Sequence, residues 1–158
     1  MLRSPPFKPS AIGEIAIRCH DLAAMAAFYQ DVIGLTHLSG SPDDAIMFFK
    51  VADGVAGHTT VLALFHHTAG RPELHPRGTE PPETGARSSL HHVAFSLPIT
   101  EQEKALTWLQ AKGIDHRVQV FDWIGWRGVF LHDPEGNTVE LVAYDDSFRA
   151  SQNVEDKL

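Results

Sequence analysis

Glu140 lies in the middle of Thr138–Tyr144, TVELVAY, an apolar run otherwise suited to a strand. A carboxylate in such a run is costly to bury unless it is paired or bound to a cation. Arg18 is one candidate partner, which would make Glu140 a structural ion pair. Paired histidines occur twice: His91-His92 opens LHHVAFSL and His66-His67 closes TTVLALFH. Strand alternation turns His91 and His92 to opposite faces, and His92 also reads as a satisfied core histidine. His67 reads as a solvated strand end, with a ligand role as the sharper alternative, and His58 as a surface turn residue. Glu14 heads EIAIRC, where the preceding Gly13 allows a solvated strand edge. The chain carries no phosphate loop, zinc-protease helix, nucleophile elbow or cysteine pair.

These residues need elements to hold them. The 158 residues suffice for one domain with a real core, or two small modules sharing one. With 43% hydrophobic and 21% charged residues, a soluble globular protein is expected. A net charge of −7 disfavours nucleic acid and anionic membranes as partners. A single cysteine, Cys19, precludes an internal disulfide and fits a cytoplasmic setting. The first residues, MLRSPPFKPSAIGE, hold three prolines and no apolar stretch, so neither a signal peptide nor a membrane span is expected.

Residues 1–11 read as an arm. Glu14 to Cys19 alternates as a strand, with Ile15, Ile17 and Cys19 on one face and Glu14, Ala16 and Arg18 on the other. Asp21 is placed to cap a helix carrying Leu22, Met25, Ala26, Tyr29, Val32 and Ile33, ended by Gly34. Strands are predicted over 35–38, 45–51 and 59–66, with a turn starting at Asp53-Gly54. Residues 67–88 are Pro-, Gly- and polar-rich without apolar period, a long linker. The pattern then restarts: strand 90–97, helix 101–112 with Thr100 as cap and Ala105, Leu106, Trp108 and Leu109 as apolar positions, and strand 116–121. DWIGWRG follows, and then a hairpin of Gly128–Leu131 and Thr138–Tyr144 around the turn residues DPEGN. Residues 146–158 read as a polar tail.

The order strand, helix, three strands therefore occurs twice. Glu14-Ile-Ala-Ile aligns with His92-Val-Ala-Phe at an offset of 78, and Val-Leu-Ala63-Leu with Thr-Val-Glu140-Leu at 77. Two strands giving nearly one offset indicate an internal duplication, with modules over 12–66 and 89–145.

These half-repeats, together with Asp21-Leu22, Phe28-Tyr29, Val32, Gly34-Leu35, the His-Val-Ala-Phe strand and DPEGNTVEL, resemble the vicinal oxygen chelate superfamily over residues 12–145. That superfamily includes glyoxalases, extradiol dioxygenases, fosfomycin resistance proteins, methylmalonyl-CoA epimerase and bleomycin-binding proteins. The resemblance implies an α+β fold of two tandem βαβββ modules forming an open, curled β-sheet cleft. It places metal-ligand positions at Glu14, Ala63, His92 and Glu140. Alanine cannot ligate, which leaves Glu14, His92 and Glu140. Two carboxylates and an imidazole suit Fe, Mn, Ni or Zn and leave positions open for a substrate. Ring-cleaving relatives carry two histidines and one carboxylate, so Glu14 is a departure from their pattern. Glyoxalases and the epimerase fill all four positions, so Ala63 is a departure from theirs.

Trp123, Trp126 and Tyr144 are candidates to wall a pocket for an aromatic substrate, with Arg18 to anchor a substrate carboxylate. Core packing is the plainer role for Phe48 and Phe65. The expectation is a homodimeric, metal-dependent enzyme acting on a small oxygenated substrate, by dioxygenase or by lyase/isomerase chemistry. A metal-free protein that sequesters a small molecule, as bleomycin-binding relatives do, is the alternative.

Overall fold

The computed structural model describes residues 6–69, 81–84 and 87–150. The chain divides into two units, Met1–Glu83 and Thr84–Leu158. In the first, β1 (Glu14–Cys19) leads into α1 (Leu22–Ala27), then β2 (Thr36–Ser39), β3 (Ile46–Val55) and β4 (His58–His66). The sheet order is β1-β4-β3-β2, with β1 parallel to β4 and the other pairs antiparallel. The alternation read from β1 is real: Ile17 and Cys19 are buried, Glu14 and Ala16 exposed. With Met47, Phe49, Leu62 and Leu64 they form the face that α1 covers with Leu22, Met25 and Tyr29. Asp21 caps α1 as its position demanded, its carboxylate accepting from the Ala24 N–H at 2.9 Å. The helix then widens into a π-turn, Phe28–Val32, which brings the adjacent Phe28 and Tyr29 both into the core.

The second unit repeats the plan. β5 (Val93–Ser96), α2 (Ile99–Ala111), β6 (Arg117–Phe121), β7 (Trp126–His132) and β8 (Thr138–Tyr144) give the order β5-β8-β7-β6. Ala16 pairs with Ala63 in the first sheet and Ala94 with Glu140 in the second. The two offsets read from the sequence are thus one structural register. The hairpin between β7 and β8 is closed by Asp133, which is buried. Its carboxylate accepts from the backbone N–H groups of Glu135 and Asn137 and from the Asn137 side chain.

Three local expectations are corrected. β3 runs on to Val55, and the reversal falls at Ala56-Gly57, with φ of 54° and 83°. Gly54 sits instead where the β3–β4 register shifts, so close to β4 that a Cβ would lie 1.8 Å from the His58 carbonyl oxygen. α2 begins at Ile99, not after a Thr100 cap, because the Pro98 carbonyl accepts from the N–H groups of Glu101 and Gln102. β5 is only Val93–Ser96, so His91 and His92 precede it and alternation does not govern them. Of the 67–88 linker, residues 70–80, 85 and 86 lie outside the described residues, as do 1–5 of the arm and 151–158 of the tail; Asp146–Phe148 forms a 3₁₀ turn. Among the described residues no helix is long and apolar enough to cross a membrane.

Gln102 was not among the predicted core positions, yet it is 0% exposed. Its amide donates to the carbonyls of Arg127 (2.7 Å) and Leu141 (2.8 Å), and its oxygen accepts from Arg127 Nε at 2.7 Å. It ties α2 to β7 and β8. Gln102→Leu keeps the volume but strands these groups, and is expected to cost about 2–3 kcal/mol in urea denaturation. A loss under about 0.5 kcal/mol would show that the polar tie is dispensable.

Candidate functional site

Each sheet turns one face to its helix, and the candidate site residues lie on the other. Rows of register partners define the second face. In the first unit they are Arg18, Phe65 and Ile46; Ala16, Ala63 and Phe48; and Glu14, Val61 and Lys50. Glu14 is exposed and Arg18 half-buried. Ala63, at the position the resemblance assigns to a ligand, is fully buried. In the second unit the corresponding rows are Ala94, Glu140, Phe130 and Arg117; Ser96, Val142, Gly128 and Gln119; and Tyr144, Trp126 and Phe121.

Glu140 is the anomaly on that face. It is 6% exposed, and its carboxylate accepts no hydrogen bond from the described residues. Its nearest cationic or donor group is His92 Nε2, 3.3 Å from Oε2, with no aligned hydrogen bond between them. Burial pushes the Glu140 carboxyl above its ordinary value, and the His92 charge pulls it partly back. Oε1 lies over Gly128, where a Cβ would come within 2.3 Å of it. The Phe130 ring comes within 2.7 Å of the same point, so Gly128 leaves space for both the carboxylate and that ring.

His92 is held from its other side. His91 Nδ1 lies 2.7 Å from His92 Nδ1, so one ring donates and the other accepts. The rings meet edge to face with centroids 5.0 Å apart, and the Phe130 ring stands 6.4 Å from His92. Alternation had turned His91 away; because both residues precede the strand, they share a side instead. No signal in the sequence reports that contact, since it depends on where β5 begins.

The predicted substrate residues fall in separate places. Trp126 and Tyr144 are register partners at the end of the face away from the β7–β8 turn, each about half exposed. Trp123 lies in the preceding turn and is 73% exposed. Within neither unit do three His, Cys, Asp or Glu side chains converge on one point among the described residues.

The sequence profile of the Glyoxalase/Bleomycin resistance protein/Dioxygenase superfamily matches residues 11–141. The chain belongs to that superfamily. No individual curated protein matches it. Among solved structures it is similar to lactoylglutathione lyase from Agrobacterium tumefaciens, at 27% identity and a TM-score of 0.61, covering 85% of this chain and 94% of that one. A glyoxalase/dioxygenase from Nostoc punctiforme shares 24% identity over 92% of this chain and 98% of that one, with a TM-score of 0.61. The genomically encoded fosfomycin resistance protein of Listeria monocytogenes shares 18% over 92% and 100%, with a TM-score of 0.59. The last two show the fold alone.

Two predictions follow from Glu140. A carboxyl whose folded pKa is raised favours the fold at low pH, and that contribution is lost as pH rises through the folded value. Glu140→Gln removes the buried charge. In metal-free protein it is expected to stabilise the fold near pH 8 by about 1 kcal/mol, roughly 2–4 °C in Tm, with the gain vanishing towards pH 4. A loss of stability near pH 8 would mean the His92–Glu140 pair is net stabilising. Gly128→Ala is expected to cost about 1–3 kcal/mol, and less in a Glu140→Ala background, where the carboxylate is gone. Equal losses in both backgrounds, read by thermal denaturation, would detach Gly128 from Glu140.

Proposed function

We propose that the protein is a metal-dependent enzyme that binds a small oxygenated substrate through a divalent ion held by Glu14, His92 and Glu140. The observation that carries the reading is the Glu140 carboxylate, largely withdrawn from solvent, without a hydrogen bond from the described residues, and facing a ring nitrogen at 3.3 Å. A desolvated carboxylate that only an imidazole offsets is what a cation relieves further. Two donor atoms 3.3 Å apart can both reach one ion at about 2.1 Å. Glu14 joins the set through the duplication, since it aligns with His92. Two carboxylates and an imidazole suit Fe, Mn, Ni or Zn, with positions left for substrate oxygens.

Such an ion polarises a bound carbonyl or enolate. The chain's own residues orient it. With His92 presenting its Nε2 lone pair, its Nδ1 carries the proton and donates to His91, which fixes tautomer and ring plane. Gly128 leaves Oε1 room to turn, and Phe130 walls the site beside both ligands. Lyase- or isomerase-type proton transfer is favoured over ring cleavage. Glu14 replaces an imidazole of the ring-cleaving pattern, and the similar Agrobacterium structure is named a lactoylglutathione lyase. A homodimer in the cytoplasm belongs to the same proposal.

The second reading, a metal-free protein that sequesters an aromatic compound, is favoured by exposed Trp126 and Tyr144 standing side by side. Metal analysis of protein purified without a His tag separates the two. Near-stoichiometric metal, falling at least tenfold in His92→Ala and in Glu140→Gln, is the expected result. Metal-free protein that refuses added Mn²⁺, Ni²⁺ and Zn²⁺ yet quenches tryptophan fluorescence with an aromatic ligand would give the site to sequestration.

A further inference from the structure

The row that holds Glu140 does not end at Phe130. It continues to Arg117 on β6, two strands from Glu140. A hollow of about 320 Å³ opens there, lined by Arg117, His116, His132 and Phe130 with Asp115 among the neighbours. The Arg117 side chain is exposed and makes no hydrogen bond or ion pair with any described residue. In a chain of net charge −7, a solvent-reachable guanidinium that lines a hollow and has no carboxylate partner is open to an anion.

We propose that this hollow is the subsite for an anionic oxyacid group of the substrate, a carboxylate or a phosphate monoester, held by the Arg117 fork. This rests on the metal reading above for the other end of the substrate only. Neighbouring strands lie about 4.8 Å apart, so the Cα atoms of Glu140 and Arg117 are roughly 10 Å apart. Phe130 lies between them, half-buried, with its ring edge to face with His92. The substrate class is therefore set by three features in line: two oxygens that chelate, a flat body that lies on Phe130, and one anionic group at the far end. Asp115 adds one carboxylate to the lining, so the hollow suits a single anionic group rather than a polyphosphate. His116 is already committed by Nδ1 to the Ile114 carbonyl at 2.7 Å, which leaves its other nitrogen to the hollow.

Two measurements on the full chain test this. In metal-free protein, benzoate and phenyl phosphate are titrated while amide and arginine side-chain resonances are followed by NMR. Shifts centred on Arg117, His116 and Phe130, lost in Arg117→Gln, are expected for at least one probe, and which of them binds names the oxyacid. Absence of such shifts with both, or their survival in Arg117→Gln, overturns the subsite. In metal-loaded protein, benzohydroxamate is compared with 4-carboxybenzohydroxamate, which adds an anion opposite the chelating end. The carboxylate is expected to tighten binding about tenfold in the native chain and not in Arg117→Gln. Equal affinities in the native chain overturn the proposed alignment. Should neither hydroxamate bind while benzoate or phenyl phosphate still finds Arg117, the metal reading fails and the anion subsite stands.

Discussion

The constraint on which the site depends is the burial of one carboxylate in a sheet that offers it nothing to accept. Glu140 occupies a position whose register partners, Ala94 and Phe130, supply no side-chain donor. Among the described residues of the module, His92, reaching back from the chain before β5, is the cationic group that approaches it. Desolvation of the carboxylate is only partly offset by that imidazole, so the residue carries a cost in the free fold. Positions of that kind are characteristic of sites whose compensation comes with the ligand.

The duplication supplies an internal control for this argument. The row Ala16, Ala63, Phe48 in the first module is the counterpart of Ala94, Glu140, Phe130 in the second. Backbone, register and the flanking phenylalanine agree, and only the central residue differs. Where that residue is alanine, the neighbouring row carries Ile46 opposite Phe65; where it is glutamate, the same place carries Gly128 opposite Val142. A side chain was removed where a carboxylate needed the volume and retained where none did. The first module shows that this fold is content with an apolar row, so the strand geometry does not require the glutamate.

Much of this was legible in the residues. Alternation in EIAIRC, the strand over TVELVAY, the Asp21 cap and the DPEGN turn are local features whose physics acts within a few residues, and each forms as read. The doubled offset carried the topology, because register between distant strands is set by the same hydrophobic pattern twice. What escaped depends on where elements stop. β5 starts after His92, not before it, and the loss of Leu90, His91 and His92 from the strand brings the two histidines together rather than apart. Gln102 was not among the apolar helix positions, since nothing in its own neighbourhood announces that two sheet carbonyls lie above it. Gly128 read as one more residue of a strand, because the nearest atom it makes room for, besides the Phe130 ring, is twelve positions away.

Lateral order in a sheet explains why a chemical row is so compact here. Residues on neighbouring strands are separated by hydrogen-bond spacing, so three side chains in register span roughly 10 Å. Yet along the sequence Glu140, Phe130 and Arg117 are separated by ten and thirteen residues. An antiparallel meander converts that separation into adjacency, and it does so rigidly, since β7 is paired on both sides. A change at Phe130 would therefore touch both ends of the row at once, the carboxylate on β8 and the guanidinium on β6. Under the proposals made above, specificity in this module is a property of that row: the carboxylate at one end marks where chemistry would happen, and the guanidinium at the other sets how long the reacting molecule would have to be.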